Sequence, residues 1–433
     1  MLRMVCNSES LIQEYYGKTL KKTSDLKSNA CVPSAKPVPA YVRKVIAEIH
    51  PDVAAKYYGC GLVVPECLEC CSVLDLGCGS GRDCYMLSQL VGEKGRVTGI
   101  DMTEDQLEVA RKYIDYHTQR FGYKKPNVNF VQGYIEALAE AGLEEKSYDI
   151  IISNCVVNLS PDKASVLREA YRVLKDGGEL YFSDVYSDAR IPEDLKANKV
   201  LWGECLSGAL WWEDLIRLAE EVGFCKPRLV TASIITVSNK ELEKLLGDHK
   251  FVSATYRLFK LPKGSEKKSC LVMYNGEMTG VEESFEFDAQ YTFKVDKETW
   301  VDDDVASILS NSRFSGEFTF RHQGLKTSGS GECWAKPKVS DSFPSSVLNM
   351  PHFLSLTILC LCIMLKLSFC CNFRLISFQN NNLHSKYFSL DPLSCFSLIS
   401  HRHTRLSSCS KKLWPQRIGL PFEQRMASYQ CLW

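Results

Sequence analysis

The sequence predicts an α/β fold, a mostly parallel sheet covered by helices. Three observations carry this reading. A strand–loop–helix passage runs Val73-Leu74-Asp75-Leu76-Gly77-Cys78-Gly79-Ser80-Gly81-Arg82-Asp83. The next apolar strand ends in an acid, Asp101, and strand-like and helix-like segments alternate from Ser72 onward. Alternation of this kind requires crossovers between parallel strands, and both faces of such a sheet must be covered.

Taken in order, residues 1–70 read as an N-terminal helical segment. Ser8 to Tyr16 has apolar residues at helical spacing, and a polar loop with Cys31, Pro33, Pro37 and Pro39 comes next. Val42, Val45, Ile46 and Ile49 then share one helical face. Residues 71–238 form the main domain. Strands are expected at 72–76, 96–100, 127–131, 148–153 and 178–183, and helices at 82–91, 103–120, 161–174 and 212–222. The Lys175-Asp176-Gly177-Gly178 turn stops one helix and admits the next strand. Residues 239–322 predict a smaller α+β domain, with a helix at 239–247 and aromatic-rich strands around Thr255–Phe259, Cys270–Tyr274 and Phe285–Val295. Residues 323–433 show no sustained period and almost no acids, only Asp391 and Glu423 after Asp341. They are expected to form a divergent, disordered tail. Its apolar run Phe353–Leu365, ended by Lys366, is shorter than the ~20 residues of a spanning helix; the Leu367–Cys371 extension could reach that length, but a poorly folded tail is the preferred reading over a membrane segment.

Composition bounds the function. Lysine plus arginine matches aspartate plus glutamate at 52 each, which gives no electrostatic reason to expect nucleic acid as a partner. The N-terminus has no long apolar core, so a cytosolic, reducing setting is expected. In that setting the 20 cysteines read as buried thiols, metal ligands or catalytic groups, not as a disulfide framework.

The glycine loop is the strongest motif. Strand, glycines and helix together present a nucleotide-like ligand to a helix N-terminus, and Asp101 can accept bonds from both ribose hydroxyls. No Lys-Ser or Lys-Thr pair succeeds the glycines, so the ligand is a nucleoside without a triphosphate, and S-adenosylmethionine fits best. The candidate cofactor residues are Asp75, Gly77, Cys78, Gly79, Gly81, Asp101, Met102, Ile135, Glu136 and Asn154. Ile135 could pack on the adenine, although Gly133-Tyr134-Ile135-Glu136 reads equally well as an ordinary helix start. Cys155 directly succeeds the fourth strand and is placed beside the cofactor by topology. Cys205, Cys60 in its Gly59-Cys60-Gly61 turn, and Cys31 are further candidates. A buried inert thiol is the usual reading for any one of them. Cys60, Cys67, Cys70 and Cys71 raise structural zinc, but there is no second C-x-x-C pair at zinc-ribbon spacing. Tyr57, Tyr58, Trp202, Trp211 and Trp212 could face a sulfonium through cation–π attraction, or be plain core.

Residues from about 9 to 322 resemble the animal-type arsenite methyltransferase family. The resemblance runs through Tyr57-Tyr58-Gly59-Cys60-Gly61, the glycine loop, Gly99-Ile100-Asp101-Met102 and Ser153-Asn154-Cys155-Val156-Val157-Asn158-Leu159. It continues in Phe182-Ser183-Asp184-Val185-Tyr186 and Trp202-Gly203-Glu204-Cys205. It implies a Rossmann-like class I methyltransferase that transfers methyl groups from S-adenosylmethionine to thiol-bound trivalent arsenic, giving mono- and dimethylated products. It also implies that Cys155 and Cys205 bind arsenic as thiolates, that Cys60 is a third ligand, and that Cys31 takes part in disulfide exchange. His249 stands where some relatives have a cysteine.

This chemistry is self-consistent. Trivalent arsenic is soft and prefers thiolates over oxygen. Three sulfurs leave its lone pair free to meet a sulfonium methyl, so alignment, worth roughly 7–11 kcal/mol, replaces acid–base catalysis. Each oxidising methylation calls for a thiol reductant, which makes thioredoxin or glutathione expected partners of a monomeric enzyme. The competing readings are a methyltransferase for another small acceptor such as a quinone or lipid, and an inactive isoform or thiol-rich scavenger.

Overall fold

A computed structural model describes residues 38–57, 59–237 and 239–321. The expectations for Ser8–Tyr16, Cys31, Tyr58 and residues 323–433 lie outside the described residues.

Each strand expected in the main domain forms. The strands are β1 (Ser72–Leu76), β2 (Arg96–Asp101), β3 (Val128–Gln132), β4 (Tyr148–Asn154) and β5 (Leu174–Ser187). They pair in parallel, in the spatial order β3-β2-β1-β4-β5. Alternation decides which side chains go to which face. Leu74, Leu76 and Ile151 enter one core, whereas Val73, Ile150 and Ile152 enter the other. Helix Arg82–Val91 buries Cys84, Tyr85 and Leu87 in the second core, where Val42 and Val45 of helix Ala40–Ala47 join them. Helices Lys163–Val173 and Trp212–Val222 bury Val166, Leu167, Trp212 and Leu215 in the first. Asp162 caps the former by accepting from the Ser165 N–H at 3.0 Å.

Three departures from the sequence reading have physical causes. The helix expected over 103–120 is two, Glu104–Lys112 and Ile114–Arg120, with Tyr113 between them at φ −107°. Strand β5 is longer than 178–183. It takes in the expected turn at 175–178, where the pairing with β4 shifts register and Gly177, at φ +83°, donates its N–H to the Lys260 carbonyl at 2.6 Å.

The largest correction concerns the second domain. Thr255–Phe259 does not begin a separate sheet. It belongs to β8 (Phe251–Phe259), every residue of which is buried. This strand lies antiparallel between β5 and β7 (Arg228–Ile235), completing the order β3-β2-β1-β4-β5-β8-β7, and the two-residue β6 (Leu210–Trp211) attaches to β5. The boundary expected at 239 therefore cuts through the main sheet. Only the chain beyond β8 forms a small module. There β9 (Cys270–Tyr274) pairs with β12 (Glu298–Val301) and β13 (Phe318–Arg321), and β10 (Ser284–Glu286) pairs with β11 (Thr292–Lys294), around a phenylalanine-rich core.

A buried ionic hub joins module and sheet. Fully buried Arg257 on β8 donates to Glu179 Oε1 at 2.6 Å, to Glu66 Oε2 at 2.9 Å and to the Phe287 carbonyl at 2.8 Å. Arg313 pairs with the other Glu179 oxygen and donates to the Glu66 carbonyl at 2.9 Å. Burial alone would raise the Glu179 carboxyl, but the two guanidiniums outweigh it and hold it below its ordinary range.

Candidate active site

The order of parallel strands reverses between β1 and β4, and the crevice at their carboxyl ends is where such sheets bind ligands. A cleft of about 1040 Å³, counted to its open mouth, lies there. Of the candidate cofactor residues, Asp75, Gly77, Cys78, Gly79, Asp101, Met102, Ile135, Glu136 and Asn154 line it. Gly81 does not. It occupies the N-cap of helix Arg82–Val91 at φ +83°, where a Cβ would stand 2.7 Å from the Phe130 ring, so its role is to let the helix start against β3.

Asp101 closes β2 with both carboxylate oxygens already oriented. Oδ2 accepts from the Gly79 N–H at 2.9 Å and Oδ1 from the Thr103 N–H at 2.8 Å. Burial raises its pKa, partly offset by these donors. Asp75 closes β1, buried, and accepts from the Cys84 thiol at 3.2 Å; burial and then the nearby Asp83 push its carboxyl well up. An acid that can accept a hydroxyl pair, apolar walls from Met102 and Ile135, and a glycine floor suit an adenosine moiety. The residues present therefore fit S-adenosylmethionine.

Asn154 is the junction between cleft and thiols, a part that sequence reasoning did not anticipate. Its amide donates to Tyr57 Oη at 2.8 Å, to Asp83 Oδ2 at 3.0 Å and to the Gly61 carbonyl at 3.1 Å, and its oxygen accepts from the Cys60 N–H at 2.9 Å. The Tyr57–Gly61 turn is thereby tied to the end of β4. Gly59 is required there, because a Cβ would run into the Asn154 and Tyr57 side chains. Of the aromatic candidates for the cofactor, Tyr57 lines the cleft and carries the Arg82 guanidinium 3.9 Å from its ring centroid. Trp212 is packed in the first core, Trp211 against it, and Trp202 beside the thiol cluster.

Cys60, Cys155 and Cys205 share one buried cluster with Leu159, Leu201 and Leu206. Cys155 lines the cleft, and its N–H donates to the Ser183 carbonyl on β5 at 2.8 Å. Cys205 lies just past helix Lys199–Gly203, which the Asn198 side chain caps, and its thiol donates to the Cys155 carbonyl at 3.4 Å. Both cysteines have left-handed backbones, at φ 62° and 59°, conformations that a folded chain holds only where its surroundings enforce them. The Cys155 and Cys205 sulfurs and a carboxylate oxygen of Asp184 lie within 4.8 Å of one another. Cys60, expected as the third member, stands outside that trio, with its thiol 3.6 Å from Ser183 Oγ. Asp184, quoted above only within the Phe182–Tyr186 resemblance, was given no role there, and nothing in β5, which also carries Glu179, marks it out. Burial, then the Cys205 charge, pushes its carboxyl up to about 8, and its oxygens accept from the Asn158 N–H at 2.9 Å and the Val185 N–H at 2.8 Å. Burial likewise lowers Lys163 to about 8, against the pull of Asp184. Cys67, Cys70 and Cys71 form no three-donor group among the described residues, so the zinc alternative gains no support. His249 stands 3.9 Å from Asp188.

This sheet order, with a glycine-floored cleft at its switch point and an acid closing β2, defines an S-adenosylmethionine-dependent methyltransferase, and a family profile described as a methyltransferase domain matches residues 69–223. The chain is 61% identical over 309 residues to the arsenite methyltransferase of Mus musculus, covering 71% of this chain and 82% of that one. It is 57% identical over 335 residues to that of Homo sapiens, covering 77% and 89%. The chain belongs to the arsenite methyltransferase family. A second profile, the arsenite methyltransferase C-terminal domain, matches residues 267–350. It starts beyond β8, in keeping with the corrected boundary, and runs past the limit expected at 322. The crystal structure of CrArsM, an arsenic(III) S-adenosylmethionine methyltransferase from Chlamydomonas reinhardtii, is similar with a TM-score of 0.64 and 46% identity, covering 66% of this chain and 97% of that one. Among the described residues no helix is long and apolar enough to cross a membrane.

Proposed function

We propose that this chain methylates trivalent arsenic held by Cys155 and Cys205, with Cys60 closing in as the third sulfur. The observation that carries the reading is the meeting of two cysteines fifty positions apart at the edge of the cofactor cleft. S-adenosylmethionine, when bound, supplies an electrophilic methyl group. Asp101 holds the ribose hydroxyls, and Met102 and Ile135 flank the base. Each thiol that engages arsenite gives up its proton to an arsenic hydroxyl, which leaves as water while a sulfur–arsenic bond forms. The resulting thiolate cage fixes the metalloid beside the cleft, and the apolar walls from Leu159, Leu201 and Leu206 keep bulk water away from it. Methylation oxidises trivalent arsenic by two electrons, so a dithiol or two monothiols must return them before the next cycle. Thioredoxin and glutathione in the cytosol are the reductants we assign, with Cys31 as the exchange thiol and a monomer as the working unit.

The test is to incubate the full chain with arsenite, labelled S-adenosylmethionine and a dithiol. Mono- and dimethylated arsenic should form, and Cys155→Ser or Cys205→Ser should reduce product at least a hundredfold while cofactor binding persists. Equal product from either variant would refute the thiolate mechanism.

A further inference from the structure

We propose that Cys155, Asp184 and Cys205 form a binding site for a borderline divalent cation of the zinc and cadmium class. The inference needs only the three donors and does not depend on the arsenic reading. A trivalent arsenic centre prefers three sulfurs, but the third donor standing beside Cys155 and Cys205 is a carboxylate oxygen. Two thiolates and a carboxylate with one open position are a donor set that zinc-class cations accept. The donor atoms already lie within 4.8 Å of one another. Bond lengths of about 2.3 Å to sulfur and about 2.0 Å to oxygen place tetrahedral ligands roughly 3.5–3.8 Å apart, so small side-chain movements complete the cage.

The surroundings are those of a built site. Asp184 is buried, and its two oxygens are oriented by the Asn158 and Val185 N–H groups, the supporting bonds that fix a ligating carboxylate. Both cysteines are locked in left-handed backbone. The Tyr186 hydroxyl is an independent sign of a missing ligand. It is buried within electrostatic reach of Asp184 and Cys155 and has no hydrogen-bond partner among the described residues. A water on the open coordination position would give it one. Charge also balances, because the three anionic donors face a dication and the half-buried Lys163, whose ammonium donates to the Ser160 carbonyl at 2.8 Å. A cation held there ties up both cysteines, so zinc should compete with arsenite.

The experiment titrates the reduced, metal-free full chain with Co²⁺ under argon. One equivalent should produce a near-ultraviolet sulfur-to-cobalt band and the intense visible bands of a tetrahedral ion, and one equivalent of Zn²⁺ should erase both. Cys155→Ser and Cys205→Ser should each lose at least half of the near-ultraviolet intensity. Asp184→Asn should weaken cobalt binding at least tenfold, and Asp184→Glu should recover part of it. S-adenosylmethionine calorimetry on each variant verifies that it is folded. Cys60→Ser should keep the cobalt spectrum while weakening arsenite binding, which separates this site from the three-sulfur substrate cage. Bands that survive in the Cys155→Ser, Cys205→Ser double variant would place the metal on other cysteines and overturn the proposal. So would Asp184→Asn binding as tightly as the parent.

Discussion

Replacing Asp101 by asparagine should weaken cofactor binding far more than it changes stability. The carboxylate is anchored from behind by Gly79 and Thr103 and fronts the cleft, where it can take both ribose hydroxyls. A hydrogen bond to a charged group contributes about 1.5–3 kcal/mol. Losing the charge at two such bonds should remove about 3 kcal/mol, a rise in Kd of about a hundredfold. Without cofactor two effects oppose each other. Burial raises the Asp101 pKa, so its stabilising contribution is present below the ordinary carboxylate range and is lost as pH rises through the raised value. At pH 7 the buried charge is a cost that Asp101→Asn removes, but asparagine has one acceptor oxygen and leaves either the Gly79 or the Thr103 N–H without its partner, so the two effects offset. Titration calorimetry and thermal melting read both effects. At a ligand concentration a hundred times the parent Kd, the parent gains about 2.7 kcal/mol and the variant only about 0.4. A Kd within threefold of the parent would refute the assignment of Asp101 to the ribose.

Two further outcomes rest on named contacts. Arg257→Met leaves the fully buried Glu179 with Arg313 alone, and breaking a buried pair costs about 3–5 kcal/mol, so urea unfolding should shift by about 3 kcal/mol. The native Glu179 pKa is lowered, so its contribution exists above the ordinary glutamate range and fades as pH falls through the lowered value; the acid limb of the melting curve should move to higher pH in the variant. Asn154→Ala frees the Tyr57–Gly61 turn and should cut methylated product about tenfold with the sheet intact, as judged by far-ultraviolet circular dichroism; unchanged turnover would show that the turn is held without it.

Much of the fold was legible because parallel strands announce themselves. The β-branched run Ile150-Ile151-Ile152 points to a strand buried on both faces, and the glycine loop locates the cleft by its own geometry. The partner of β8 was not legible. Its residues specify a buried strand, but nothing in them says that it inserts antiparallel beside β5, because that register is set by contacts with residues some seventy positions away. The same limit applies to the site. Cys155 was placed by topology, and Cys205 by its position after the fifth strand and by resemblance. Asp184 was hidden inside a strand pattern, where only burial reveals that a carboxylate is costly enough to need a purpose.

Strand β5 has a consequence of its own. Glu179, gripped by Arg257 and Arg313, and Asp184, beside the two sulfurs, are five residues apart on it, about 16 Å at some 3.3 Å per residue. Its entire length between them is buried and hydrogen-bonded on both sides, to β4 and β8, so it behaves as a rigid connecting rod. A lesion in the phenylalanine-rich module that loosens the grip on Glu179 should thus shift the Cys155, Asp184 and Cys205 donors. Variants mapped far from the cleft should accordingly be screened for altered thiol-ligand binding before being set down as folding defects.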